Sequence, residues 1–149
     1  MTITDALLGE HGVFYAQFRH LEEELPQAAS AETIRARARL LAAALESHAA
    51  LEDQLLFDRM EGVMPSDQGP LAVMREEHRH IENLLLDLKA VAGLTQAVEL
   101  LNRVIEVARN HFAKEEAVLF PLAGRALEPA ILQDLGREWA RRRGVVLAG

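Results

Sequence analysis

Two short stretches carry the residues that could do chemistry. HAALEDQLLF occupies positions 48 to 57 and HFAKEEAVLF positions 111 to 120, and without a gap they share His48/His111, Ala50/Ala113, Glu52/Glu115, Leu56/Leu119 and Phe57/Phe120. An acid follows each shared Glu. His and Glu four residues apart stand only about 40° apart around a helix, so each pair offers one imidazole and one carboxylate to the same side. GEHG and EEHR add His11 and His78, each preceded by Glu, so that each half of the chain reads His, then HxxxE. Imidazole and carboxylate without sulfur form a donor set for iron, manganese or zinc, and two carboxylates shared between two divalent ions offset much of their charge.

The elements that must position these groups read as helices. Leu7, Leu8, His11, Phe14, Tyr15, Phe18, Leu21 and Leu25 share one face of a helix over about 4–25. A second helix over about 31–60, with Ser30 as N-cap, has the inward seam Ile34, Ala38, Leu41, Leu45, His48, Glu52 and Leu55. EGVMPSDQGP at 61–70 reads as a loop. The third helix, about 70–92, turns Leu71, Met74, His78, Ile81, Leu85 and Leu88 inward. AGLT is a tight connection with Thr95 as the next N-cap. The fourth helix, about 96–122, has the seam Leu101, Val104, Ala108, His111, Glu115, Val118 and Leu122, with Pro121 marking its bend or end. A fifth, amphipathic helix over about 128–142 is expected against the bundle end through Ile131, Leu132, Leu135 and Trp139. No stretch reads as a strand. The expected fold class is therefore all-α, an antiparallel up-down-up-down four-helix bundle with a short extra C-terminal helix, in a single domain over residues 1–149.

All six chemical residues interrupt apolar seams. A buried carboxylate costs several kcal/mol unless it meets a cation, and a neutral imidazole still needs hydrogen-bond partners. A lone core histidine is ordinarily a satisfied core residue, and a lone HxxxE is an ordinary surface pair. Six such groups related by the repeat point instead to metal. His20 and His80 serve as controls, since the helical angle turns them about 180° and 200° from His11 and His78, to the solvent side.

Composition bounds the partners. The chain has 149 residues, 50% hydrophobic and 26% charged, the balance of one ordinary domain. Its formal charge of -7, with 23 acids against 16 Lys and Arg, argues against nucleic acid. The basic cluster Arg141, Arg142 and Arg143 reads as a solvated helix end complementing the helix dipole. No apolar run approaches a membrane span, and MTITDALLGEHG lacks the basic start and apolar stretch of a secretory signal. Cysteine is absent, which rules out thiolate ligands and a cysteine nucleophile and fits a reducing compartment. Cytoplasmic residence and no membrane partner are the expectation. There is no serine nucleophile arrangement and no glycine-rich phosphate loop.

The order His11, then HAALE at 48–52, then His78, then HFAKE at 111–115, together with the phrase HFAKEEAVLFP, resembles the hemerythrin-like, or HHE cation-binding, proteins over about residues 5–122. The resemblance implies a four-helix bundle with two non-haem iron ions, oxo- or hydroxo-bridged, placed ahead of manganese or zinc. It carries ligand roles onto His11, His48, Glu52, His78, His111 and Glu115, with Glu52 and Glu115 as the bridging carboxylates. Ferritin-like bundles instead use ExxH with more carboxylates than histidines. The oxygen-carrying hemerythrins have a fifth His in an HxxxH on the third helix and an HxxxxD on the fourth. Here position 82, four after His78, is Glu, and the fourth helix has HxxxE.

Two further residues are candidates beside that set. Glu82 is an additional ligand or a surface acid at the helix edge. Tyr15, the one tyrosine, lies four residues after His11 on the inward face. It is a ligand, a hydrogen-bond donor to a bound oxygen species, or a packed side chain with its hydroxyl bonded nearby, and the packed reading is preferred. With two His per metal and two bridges, positions remain for a small molecule: O2, peroxide or NO. A peroxidase- or catalase-like oxidoreductase is favoured because carboxylate donors stabilise the higher oxidation state. Reversible O2 binding, O2 or iron sensing, iron storage and a structural metal are the alternatives. No residue is assigned a catalytic role, and the electron donor is unassigned.

Overall fold

The computed structural model describes residues 1–64 and 69–147. Helices make up its elements, with no strand among the described residues: α1 Ile3–Glu24, α2 Ala31–Leu51, α3 Asp58–Glu61, α4 Pro70–Ala90, α5 Leu94–Lys114, α6 Phe120–Ala126 and α7 Pro129–Arg143. Part of the loop expected at 61–70, residues 65–68, lies outside the described residues.

Local chemistry sets most of the helix starts. Thr2 and Asp5 form a reciprocal capping box before α1: the Thr2 hydroxyl accepts from the Asp5 N–H and the Asp5 carboxylate from the Thr2 N–H. Ser30 caps α2 as expected, accepting from the Thr33 N–H at 3.2 Å. Thr95 does not cap α5. The N-cap is Gly93, because the Ala97 N–H already bonds the Gly93 carbonyl, which leaves Thr95 inside the first turn.

The second and fourth sequence helices each contain a wide turn that the reading as uniform α-helices missed. Glu52–Phe57 joins α2 to α3 and Glu115–Leu119 joins α5 to α6, with bonds that skip five residues, Asp58 N–H to the Asp53 carbonyl and Phe120 N–H to the Glu115 carbonyl. Such a π turn inserts one residue and advances every later side chain around the axis. Val118 is consequently exposed and Leu122 only partly buried, while Leu119, Phe120 and Ala123 face inward in their place. Pro121 neither stops the helix nor kinks it to a halt. It falls in the first turn of α6, where the wide turn has already broken the regular bond pattern, and the helix runs on to Ala126. Leu8, expected on the inward face of α1, is 44% exposed.

Two apolar clusters form the core. One gathers Phe14, Phe18, Leu45, Ile81, Leu85, Leu101 and Phe112. The other gathers Ile3, Leu7, Leu55, Phe57, Leu71, Met74, Leu119 and Ala123. Along α1 and α4 the chain passes from the second cluster to the first, and along α2 and α5 it passes back. On α1, α2 and α4 the crossing is made at a histidine, and on the fourth path it comes beyond Phe112 and the end of α5, at Glu115.

The C-terminal helix joins the second cluster through Leu132, Leu135 and Trp139, three of the four residues expected to face the bundle. It packs along α1 and reaches the Glu52–Phe57 turn. Its buried line is Leu132, Gly136 and Ala140, with Leu135 and Trp139 at the margin. A Cβ on Gly136 would lie 2.6 Å from the Met1 carbonyl oxygen and 2.9 Å from the Thr2 carbonyl carbon, so only glycine permits this approach.

Candidate metal centre

Between the two apolar clusters lies a polar layer made by the six residues that the repeat picks out. His11, His48, His78 and His111 are between 1% and 6% exposed, and Glu52 and Glu115 are fully buried. They form two overlapping quartets, His11, His48, Glu52, Glu115 and Glu52, His78, His111, Glu115, and within each quartet one ligand atom per residue lies within 4.8 Å of all the others. Both carboxylates belong to both quartets. The His11 and His111 Nε2 atoms lie 3.3 and 3.0 Å from Glu115 oxygens, and those of His48 and His78 lie 3.5 and 3.6 Å from Glu52 Oε2.

Each imidazole is turned so that Nε2 faces inward and Nδ1 outward to a second carboxylate. His48 Nδ1 meets Glu10 at 2.6 Å, His11 Nδ1 meets Glu116 at 2.9 Å, and His111 Nδ1 meets Glu77 at 2.9 Å. His78 Nδ1 pairs with Asp53 at 3.3 Å. An ionised carboxylate only accepts, so in the first three contacts Nδ1 carries the proton and donates, leaving the Nε2 lone pair aimed into the layer when the ring is neutral. Imidazoles that hold metal are commonly fixed by such an outer acceptor.

The sequence placed these outer acids as letters without giving them a task. Glu10 and Glu77 are the residues before His11 and His78, and Asp53 and Glu116 are the residues after Glu52 and Glu115. Each serves an imidazole on another helix, which is why spacing along one helix did not reveal the pairing. The repeat itself, with acid in the same place in both halves, was the available signal.

The donor set passes a test of fit for metal. All four Nε2 atoms and all four oxygens of Glu52 and Glu115 are buried without a hydrogen-bond partner. Leaving that many polar atoms unpaired is costly, and Lewis-acid cations would satisfy them together. Charge argues the same way. Burial and the Glu115 charge push the Glu52 carboxyl up. Burial would also raise Glu115, but the His11 and His111 imidazoles close beside it prevail and hold it well below the usual carboxylate range. Burial depresses His78, yet the Asp53 and Glu52 carboxylates beside it outweigh this and push it up to about 10. Two buried carboxyls at this spacing resist joint ionisation unless cations meet both.

Aromatic rings brace the imidazoles. His11 stacks on Phe112 with ring centroids 4.0 Å apart, and Phe57 stacks on His78 at 5.5 Å. A narrow cleft lined by Leu45, Ala49, Ile81, Leu85 and Phe112 leads to His48, His78 and His111. It leaves about 20 Å³ for the centres of water-sized molecules, room for one such molecule.

The remaining sequence candidates fall as follows. Glu82 is exposed, lines the cleft and belongs to neither quartet. Tyr15 is half-buried and its hydroxyl donates to Glu116 at 2.8 Å, the same oxygen that His11 Nδ1 meets. Burial and the Glu116 bond push its phenol well above the ordinary range, so it keeps its proton. His20 and His80 are on the surface, as their angles required. The C-terminal arginines depart from expectation: Arg141 pairs with Glu138 at the surface, but Arg143 reaches inward to Glu10 and Ser47.

An all-helical framework with two overlapping His/Glu quartets defines a metal-binding protein. Residues 2–135 match the family model described as Hemerythrin HHE cation binding domain, and the chain belongs to that family. No curated protein and no solved structure matches it. Among the described residues, no helix is long and apolar enough to cross a membrane.

Proposed function

We propose that this chain is a di-iron protein that reacts with a small oxidant, peroxide, O2 or NO, in a redox or detoxifying role. His11 and His48 would hold one ion, His78 and His111 the other, and Glu52 and Glu115 would span both. The observation that carries this reading is the sharing of both buried carboxylates by the two quartets. The proposed framework is a single domain, an antiparallel up-down-up-down bundle of α1, α2, α4 and α5. It is supported by the opposite order in which successive long helices visit the two apolar clusters.

A pair of redox-active ions held by these six residues would supply Lewis acidity and the capacity to exchange two electrons. The chain does the rest. Glu52 and Glu115 would offset the charge of the ions they hold. The outer carboxylates hold each ring in one orientation, which keeps the donor atoms in place through a change of charge. Phe112, Phe14 and Phe18 close the layer on one side and Phe57 and Phe120 on the other, excluding bulk water. Tyr15 keeps Glu116 directed at His11. The cleft suits a molecule of two or three heavy atoms, as O2, NO and peroxide are.

Elemental mass spectrometry of untagged protein, with absorption spectra before and after peroxide, tests the reading. Roughly two irons per chain with near-ultraviolet bands that change as peroxide is consumed support it. No metal, or one zinc, overturns it. The apolar lining of the cleft also suits a carrier or sensor of O2. A stable, reversible spectrum under O2 without peroxide turnover would select that alternative.

A further inference from the structure

We propose that Trp139 and Arg143 are positioning residues for the His48 imidazole, acting through Glu10, so that the last two turns of α7 complete one half of the metal centre from outside. The inference rests on the di-metal reading and goes beyond it, because both residues lie past the 2–135 stretch that matches the family.

Glu10 is held by four donors. Its Oε2 accepts from His48 Nδ1 at 2.6 Å and from Arg143 Nη2 at 3.1 Å, and its Oε1 accepts from Arg143 Nε at 2.7 Å and Trp139 Nε1 at 2.9 Å. A carboxylate offers about four lone-pair directions, so this one is saturated and has a single orientation. Arg143 also donates through Nη1 to the hydroxyl of Ser47, the residue before His48, and so grips both Glu10 and the helix that carries the imidazole. The planar guanidinium fork makes this geometry, and a lysine ammonium does not reproduce it.

The other outer acids are held more loosely. Glu77 meets His111 and Lys114, Asp53 pairs with His78 and Arg75, and Glu116 takes Tyr15 and His11. Glu10 is the least exposed of the four, 15% against 20% for Glu77 and 32% for the other two. Trp139 and Arg143 are four residues apart on the α7 face set down by the Gly136 contact. Without them, Glu10 is free to turn toward solvent, and His48 loses the acceptor that fixes its ring.

The test uses the full chain loaded with cobalt(II), chased with a chelator, and loaded with zinc after 15N labelling of histidine. In wild type the His48 Nδ1–H resonance is protected from exchange. Arg143→Ala should speed cobalt release about tenfold or more and expose the His48 Nδ1–H, leaving that of His111 unchanged. Arg143→Lys should recover only part of the protection. Arg141→Ala, which removes only the Glu138 pair, should match wild type. Trp139→Phe deletes one donor and should shift both readouts in the same direction by less, which keeps the idea testable if Arg143→Ala does not fold. Unchanged release and an unchanged His48 signal in Arg143→Ala overturn the proposal, as does equal deprotection of all four imidazoles. A wild type that retains neither cobalt nor zinc overturns the di-metal reading instead.

Discussion

The two halves of the chain write the same site in different surroundings. Glu10, His11, His48, Glu52 and Asp53 make one half, and Glu77, His78, His111, Glu115 and Glu116 the other. The inner six residues are equivalent in burial and in the direction of their Nε2 atoms. The outer layer is not. Glu10 is bonded by Trp139 and Arg143 of α7, while Glu77 is met by Lys114, itself 51% exposed. The repeat therefore keeps the six inner residues more alike than the groups that support them, and under the proposed di-metal reading any difference between the two ions should originate in the support.

The largest break in the comparison removes what the halves share. Glu52→Ala or Glu115→Ala should abolish both ions, because each carboxylate belongs to both quartets, and metal analysis should fall from about two per chain toward none. His48→Ala against His78→Ala comes next. Each should leave about one ion per chain with weakened affinity, and loss of both ions from either variant would show that the positions cannot fill independently.

A smaller and sharper contrast lies in the outer layer. Glu10→Gln and Glu77→Gln should each raise the metal dissociation constant by about 10- to 100-fold, with the larger effect at Glu10 because it is the more enclosed, as competition titration with a chelator measures. Removing metal from wild type should lower thermal stability. With free metal at 100 times its dissociation constant, the loss amounts to about 2.7 kcal/mol per independent site. The smallest effect belongs to Tyr15→Phe, which deletes one hydrogen bond to Glu116 and should cost about 1 kcal/mol in denaturant unfolding without changing metal content.

The inward seams and the six polar residues on them were legible because helical period and internal repeat agree at those positions. The register beyond Glu52 and Glu115 was not. A π turn has no residue signature that separates it from an α turn, so the helical period turns Val118 inward, whereas Leu119 and Phe120 take the buried places. Gly93 displaced Thr95 because the hydrogen-bond pattern begins two residues earlier than the better capping side chain suggests. The outer acids were visible as a pattern but could not be paired, since each reaches a histidine on a different helix. Arg143 lay in a run that read as solvated, and only the Gly136 approach, which brings α7 along α1, turns it toward Glu10.

The indole that bonds Glu10 is the chain's one tryptophan. Long-wavelength ultraviolet excitation therefore raises emission from a single point, two hydrogen bonds away from the His48 ring. The molecule carries a built-in optical label, so filling the centre, emptying it or lifting α7 from α1 should each alter the intensity or colour of that emission, with no dye attached.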